Sequence, residues 1–244
     1  MTPSQEQAPA AAVPAIDVQN LSFAYPRSGP VLDISRFTVE RHARVFLHGP
    51  SGSGKTTLLG ILAGILDATD GEVCVLGRDY RTLRGRGRDA FRGAHIGYIF
   101  QMFNLIPYLD VQENVLLPLN LSPERKARLG GKAPEDAARE LADRLGIGGL
   151  LLKSVTALSV GQQQRVAAAR ALIGAPELII ADEPTSALDT SHREAFLKLL
   201  FDEAERAGAS VLFVSHDHTL KPLFKTAQSL DELNQAPRAA AFAT

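Results

Sequence analysis

Gly49-Pro50-Ser51-Gly52-Ser53-Gly54-Lys55-Thr56 decides how this chain is read. A short apolar stretch, Arg44–Leu47, runs into it and reads as a strand. Gly54–Leu66 runs out of it at helix length, with Leu58, Leu62 and Ile65 on one face. The result is strand, glycine loop, helix, in the spacing G-x-x-x-x-G-K-[ST]. Glycines let successive backbone N–H groups point into one concavity with no Cβ in the way. The helix that starts at Gly54 aims its positive end at the same place. Lys55 then reaches the outer phosphates of a nucleotide and Thr56 ligates its Mg²⁺. The plain alternative is a Gly/Ser turn before a helix, a match that arises by chance in about one chain in a hundred of this length.

Such a loop needs a distant carboxylate, and Leu178-Ile179-Ile180-Ala181-Asp182-Glu183 supplies one. The unbroken apolar run predicts a central parallel strand, placed beside the strand that carries the phosphate loop. Open α/β sheets put ligands at the carboxyl ends of their strands, so Asp182 faces the nucleotide's Mg²⁺. Glu183 is placed to act as general base on the attacking water. The plain alternative is an acidic cap before the next helix.

Strands are also expected at Ile16–Phe23, Ile34–Glu40, Glu72–Leu76, His95–Phe100 and Ser210–Ser215. Helices are expected at Glu135–Leu145, Val160–Ile173 and Thr190–Arg206, with a Pro/Gly-broken linker over Ser122–Pro134. The pattern is an α/β core with a mixed or parallel sheet, an N-terminal antiparallel part and an all-helical insert. Residues 1–14 read as a disordered lead, 15–244 as one domain and about 101–172 as the inserted helical subdomain. The last ten residues are Ala-rich and read as frayed.

Composition excludes several classes. The chain has 244 residues, 45% of them apolar, and a net charge of −1, which gives no electrostatic footprint for bulk nucleic-acid binding. Cys74 is the only cysteine, so an internal disulfide and a cysteine zinc cluster are both excluded. The longest apolar run, Leu58–Leu66, is far below the roughly 18–20 residues of a membrane span. The N-terminus lacks the basic and apolar regions of a secretory signal, which points to the cytoplasm.

Taken together, the motifs resemble the ATP-binding cassette ATPases of membrane transporters over about residues 16–218. Tyr25 follows the first strand, where the family stacks an aromatic on adenine. Gly49, Pro50, Ser51, Gly52, Ser53, Gly54, Lys55, Thr56 and Thr57 form the phosphate loop. Gln101 stands where the family has a lid glutamine that senses Mg²⁺ and the membrane partner. Leu158-Ser159-Val160-Gly161-Gln162 is similar to the signature LSGGQ, and Asp182-Glu183-Pro184-Thr185 leads into Ser186-Ala187-Leu188-Asp189, a loop that crosses a dimer interface. Ser215-His216-Asp217 carries the switch histidine. The resemblance implies ATP and Mg²⁺ as ligands, with Thr56, Gln101 and Asp182 at the metal and Glu183, His216 and Gln101 in catalysis. Ser159, Gly161, Gln162 and Asp189 then hold nucleotide across a head-to-tail homodimer. It also implies an integral membrane permease as partner, a location on the cytoplasmic face of the membrane, and no direct nucleic-acid contact.

Two positions depart from the pattern. Val160 replaces the signature's first glycine, and a β-branched residue restricts the backbone. After His216 the usual Asp-Gly turn of the family's last hairpin is missing, and Ser229–Asn234 stands there instead. The stretch Phe100–Val115, with GQQQRVAAARAL and ADEPTSALD, looks like the lipoprotein-release and macrolide-efflux branch, which drives export or mechanical work. Phe103, Leu105, Tyr108 and Leu109 read as a mixture of subdomain core and permease contact. Six arginines between Arg78 and Arg92 read as a solvated face, with a phosphate or lipid-headgroup contact as the sharper alternative. His42, His48, His95, His192 and His218 read as structural or surface. The rival readings are a cassette that gates a cell-division regulator and a soluble cassette ATPase of DNA repair or ribosomes.

Overall fold

A computed structural model describes residues 13–27, 29–186 and 190–237. It opens with β1 (Ile16–Ala24) and β2 (Pro30–Val39), followed by β3 (Arg44–His48), the phosphate loop and α1 (Lys55–Leu62). Next come β4 (Asp70–Val75), a two-residue β5 (Arg78–Asp79), α2 (Arg86–His95) and β6 (Ile96–Ile99). A helical stretch follows: α3 (Val111–Leu121), α4 (Pro123–Ala127), α5 (Pro134–Arg144) and α6 (Val160–Leu172). The chain then returns to β7 (Leu178–Asp182), α7 (Thr190–Arg206), β8 (Ser210–Ser215), β9 (Thr226–Ser229) and α8 (Leu230–Leu233).

Two sheets result. One is antiparallel in the order β2-β1-β4-β5. The other is parallel in the order β6-β7-β8-β3-β9. In a parallel sheet every strand ends at the same edge, so β3, β7 and β8 deliver their following loops to one place. Strand alternation sorts the core into two layers. Phe46, Ile99, Ile179, Ala181, Val211 and Phe213 face the helices α3, α5, α6 and α7. Val45, Leu47, Ile96, Leu178, Ile180, Leu212 and Val214 face α1 and the antiparallel sheet. A strand buried on both faces has no polar alternation, which explains the unbroken Leu-Ile-Ile-Ala of β7.

The expected position of β7 is corrected by this topology. It does not lie beside β3, because β8 is hydrogen-bonded between them. Its apolar run requires two covered faces and two neighbours, and β6 and β8 meet that requirement. Other boundaries move. Ser122–Pro134 is not a plain linker, because Ser122 caps the short helix α4 with its side chain on the Arg125 N–H. The helix after the phosphate loop ends at Leu62 rather than Leu66, in a turn where Gly64 has a positive φ of 68°. His95 closes α2 instead of opening a strand. The expected disordered lead falls, apart from Val13 and Pro14, outside the described residues, as do residues 238–244 of the Ala-rich end.

The helical stretch is fastened by polar groups turned inward. Asp110 and Glu113 form a reciprocal capping box on α3. Fully buried Asn114 accepts from the Ile106 N–H and donates to the carbonyls of Ile106, Leu109 and Asp110. Arg125, 2% exposed, donates to the carbonyls of Ile173, Ile96 and Ala171 and so satisfies the end of α6. Burial lowers its pKa to about 10.

Candidate functional site

The phosphate loop is built by its glycines. Gly52 and Gly54 have φ of 79° and 96°, a region that side chains disfavour. A Cβ on Gly54 would also stand 2.7 Å from Leu32 Cδ2. α1 begins with no side chain capping its first turn, so its leading N–H groups and positive end stay open. Lys55 is 7% exposed, and its Nζ donates to the carbonyls of Gly49 and Pro50, both at 2.8 Å. Pro50, Ser51 and Gly52 form the outer rim, Ser53 is buried, and the exposed Thr56 follows Lys55. Thr57 is buried, and its hydroxyl lies 3.2 Å from the Tyr25 hydroxyl. Tyr25 is 43% exposed and packs edge-on against Phe23, so its ring borders the loop.

At the end of β7 the two carboxylates separate. Asp182 is 9% exposed, and its pKa is pushed up to about 6. Burial is the main cause, the neighbouring Glu183 carboxylate adds to it, and Lys55 opposes it. Glu183 breaks the strand with a φ of 44°, held by its N–H on the Val214 carbonyl at 2.9 Å. Its Oε1 lies 3.8 Å from Lys55 Nζ, and its Oε2 lies 2.7 Å from His216 Nδ1 at the end of β8. Three strands thus bring Lys55, Glu183 and His216 together.

Gln101 is exposed in the turn after β6. Arg170 of α6 shapes that turn by donating to the Phe103 carbonyl at 2.5 Å and the Asn104 carbonyl at 2.7 Å. Both carbonyls belong to residues with positive φ, 60° and 47°. Gln164 of α6, 1% exposed, donates to the Pro184 carbonyl at 2.9 Å. Gln164 belongs to the stretch Gln163-Gln164-Arg165 that follows the signature in the family manner, and both residues lie in the quoted run GQQQRVAAARAL, but the sequence assigns neither a role. Their signal was there: polar side chains in an otherwise alanine-rich buried helix need partners.

Ser159 and Gln162 cap α6 reciprocally: Ser159 N–H donates to Gln162 Oε1 at 3.0 Å, and Gln162 N–H to Ser159 Oγ at 3.3 Å. Val160 is the first helical residue, where a β-branched side chain meets no backbone conflict, and it is 46% exposed. Gly161 follows on the same half-exposed turn. Among the described residues Ser159, Gly161 and Gln162 form no hydrogen bond with the phosphate loop of their own chain. Asp189 and its neighbours Ala187 and Leu188 lie outside the described residues.

The remaining motifs divide. Phe103 is buried in the helical core, whereas Tyr108 and Met102 are 84% and 81% exposed. Arg81, Arg88 and Arg92 pair with carboxylates of Glu72, Asp79, Asp67 and Asp89. Three of the six arginines are thus neutralised locally, which supports the solvated-face reading. His95 is held by Glu177, and His42 bonds the Gly208 carbonyl.

The family model for ABC transporters matches residues 32–186, more than half of the chain. This chain is a member of the ABC transporter family. Among its relatives, the lipoprotein-releasing system ATP-binding protein LolD of Syntrophotalea carbinolica is 37% identical, covering 84% of this chain and 89% of that protein. The ABC transporter ATP-binding protein YbbA of Escherichia coli K12 is 41% identical, over 73% of this chain and 76% of that one. The macrolide export ATP-binding/permease protein MacB of Rhodopirellula baltica is 39% identical over 77% of this chain, which spans 27% of that longer protein. Among solved structures, the ATP-binding cassette MJ0796, as a dimer bound to ADP and Pi after hydrolysis, superposes with a TM-score of 0.77 at 31% identity. That match covers 88% of this chain and 93% of the other. The chain is the ATP-binding and ATP-hydrolysing subunit of an ABC transporter, of the LolD and MacB branch.

One consequence concerns stability. Asp182 titrates near 6 when folded against a usual value near 3.8, so the folded protein disfavours its charged form. The penalty is present above pH 6 and fades as pH falls through 6 toward 4. Asp182→Asn removes it, and the ABC subunit without nucleotide gains about 2 kcal/mol at pH 7.5. That corresponds to a Tm about 5 °C higher, falling to roughly a third of that gain by pH 4.5 and toward zero only below pH 4. A thermal melt in which the variant is no more stable than wild type at pH 7.5 contradicts this account.

Proposed function

We propose that two copies of this chain enclose two ATP molecules head to tail and that this closure drives a separate membrane permease, in export or mechanical transmission. The observation that carries the reading is the division of the site. Lys55, Glu183 and His216 meet within one chain. The signature turn Ser159–Gln162 lies at the partly exposed start of α6 and forms no hydrogen bond with the phosphate loop of its own chain. A helix N-terminus is an anion site, and a second copy's γ-phosphate is the anion that fits. Asp189, which follows Asp182-Glu183 in the sequence, is assigned to the same interface on its motif alone. The dimeric MJ0796 structures support this arrangement.

Each residue then has a task. Tyr25 stacks on adenine, Gly49–Thr57 wrap the phosphates, and Lys55 neutralises the β and γ groups. Glu183 takes the proton of the attacking water. His216 orients Glu183 and contacts the γ-phosphate. Mg²⁺ is expected with the nucleotide. The donors fit it: Asp182 is a buried carboxylate, and the Thr56 hydroxyl and Gln101 amide oxygen are hard oxygen ligands. Bound there, the ion neutralises phosphate charge.

The helices of residues 101–172 act as an inserted subdomain whose exposed Tyr108 and Met102, beside Gln101, meet the permease. No helix among the described residues is long and apolar enough to cross a membrane. Membrane association at the cytoplasmic face therefore comes through the permease. Co-expression with its permease should move the chain from the soluble to the membrane fraction and change its ATPase rate. Recovery with ribosomes or DNA, and never with membranes, would favour the soluble rival.

A further inference from the structure

The segment that departs from the family's last hairpin turns out to sit behind the phosphate loop. β9 lies parallel to β3 in a register that pairs Ser229 with His48. The next residue of each strand is therefore adjacent: Leu230, fully buried, and Gly49, whose Cβ position would be 3.4 Å from Leu230 Cβ. One turn of α8 then delivers Asn234 to the far side of the loop. Asn234 pairs with Ile34 of β2, and the Gln235 N–H donates to the Asp33 carbonyl at 2.7 Å. Its side chain is fully engaged. Oδ1 accepts from the N–H groups of Asp33 at 2.8 Å and Ala236 at 3.2 Å. Nδ2 donates to the Val31 carbonyl at 2.9 Å and to the Ser53 carbonyl at 3.3 Å. Only this amide orientation satisfies two N–H donors on one side and two carbonyls on the other.

We infer that Asn234 is a positioning residue for nucleotide binding: by holding the Ser53 carbonyl it fixes the Ser53–Gly54 peptide so that the Gly54 N–H faces the phosphates. A trans peptide is planar, with its C=O and N–H pointing in opposite directions. Drawing the Ser53 oxygen back toward Asn234 therefore drives the Gly54 N–H forward. Gly54 needs such a hold, because at φ of 96° glycine readily adopts other conformations. The neighbouring Ser53 hydroxyl is buried without a partner among the described residues, so it contributes no competing restraint. Residues 31–33, brought in by β2, complete the anchor. The loop is thus fixed from a point 181 residues away in the sequence.

The inference rests on the reading that this loop holds nucleotide, and the test separates the two. Mg-ADP binding is measured by calorimetry on full-length wild type, Asn234→Asp, Asn234→Ala, Gln235→Ala and Lys55→Ala. Asn234→Asp keeps shape and acceptor but sets an oxygen against two carbonyls. The expected result is an ADP Kd raised about tenfold for both Asn234 variants, a raised KM for ATP, and kcat at saturating ATP within about twofold. Hydrogen exchange at residues 52–56 should quicken in them. Gln235→Ala, next to Asn234 in the chain, loses only a side-chain contact to Ser35 of β2 and should bind as wild type. An Asn234→Asp Kd within twofold of wild type, or an equal loss in Gln235→Ala, overturns the positioning role. Wild-type binding by Lys55→Ala would instead overturn the underlying reading. If Asn234→Ala does not fold, Asn234→Asp decides alone, and should it not fold either, faster exchange at 52–56 in Asn234→Ser is required.

Discussion

Glu183→Gln is expected to bind Mg-ATP and hardly to hydrolyse it, with turnover reduced by a factor of about 10²–10⁴. The substitution keeps the volume of a side chain that is largely buried between Lys55 and His216. It removes only the ability to take a proton. ATP then persists, and with it the closed dimer of the proposed mechanism. Light scattering should show monomer without nucleotide and dimer with Mg-ATP. Adding Ser159→Arg places a long cationic side chain on the exposed first turn of α6. It should abolish the dimer while leaving ATP bound by each monomer. Equal dimerisation of the single and double variants would mean that the signature turn does not complete the site of a second copy.

Lys55→Ala should raise the Kd for ATP on the order of 100-fold. A hydrogen bond to a charged group is worth about 1.5–3 kcal/mol, and Lys55 is the buried cation of the loop. The fold should survive, because the lysine's partners are two loop carbonyls and the Glu183 carboxylate of the same site rather than core groups. Calorimetry at fixed Mg²⁺ measures this directly. Binding equal to wild type would sink the phosphate-loop assignment.

The parts of the site that could be read from sequence are those whose geometry is local. Eight consecutive residues specify the phosphate loop, because glycine conformations and a helix start are properties of neighbouring residues. Glu183 and His216 were each legible as residues at the carboxyl end of a strand, but the hydrogen bond between them was not. Strand order was not. Nothing in Leu178–Asp182 distinguishes β8 from β3 as a neighbour, since both are short, apolar and covered on both faces. Arg125, Arg170 and Asn234 were missed for a related reason. Their partners are backbone carbonyls, which carry no residue identity, so their spacing marks no motif.

α6 touches three separate parts of this machinery. Its first turn presents Ser159 outward, its middle fastens the loop after Glu183 through Gln164, and its last turns hold the Gln101 turn through Arg170. At 13 residues it is a rigid rod about 20 Å long. A rod pinned at two points cannot tilt at its free tip without working both. Pressure on its exposed tip is passed to the loop after Glu183, the proposed base, and to the glutamine turn alike. The subunit thus contains a rocker arm, and stiffness along its alanine-rich shaft sets how faithfully a push at one end becomes a displacement at the other.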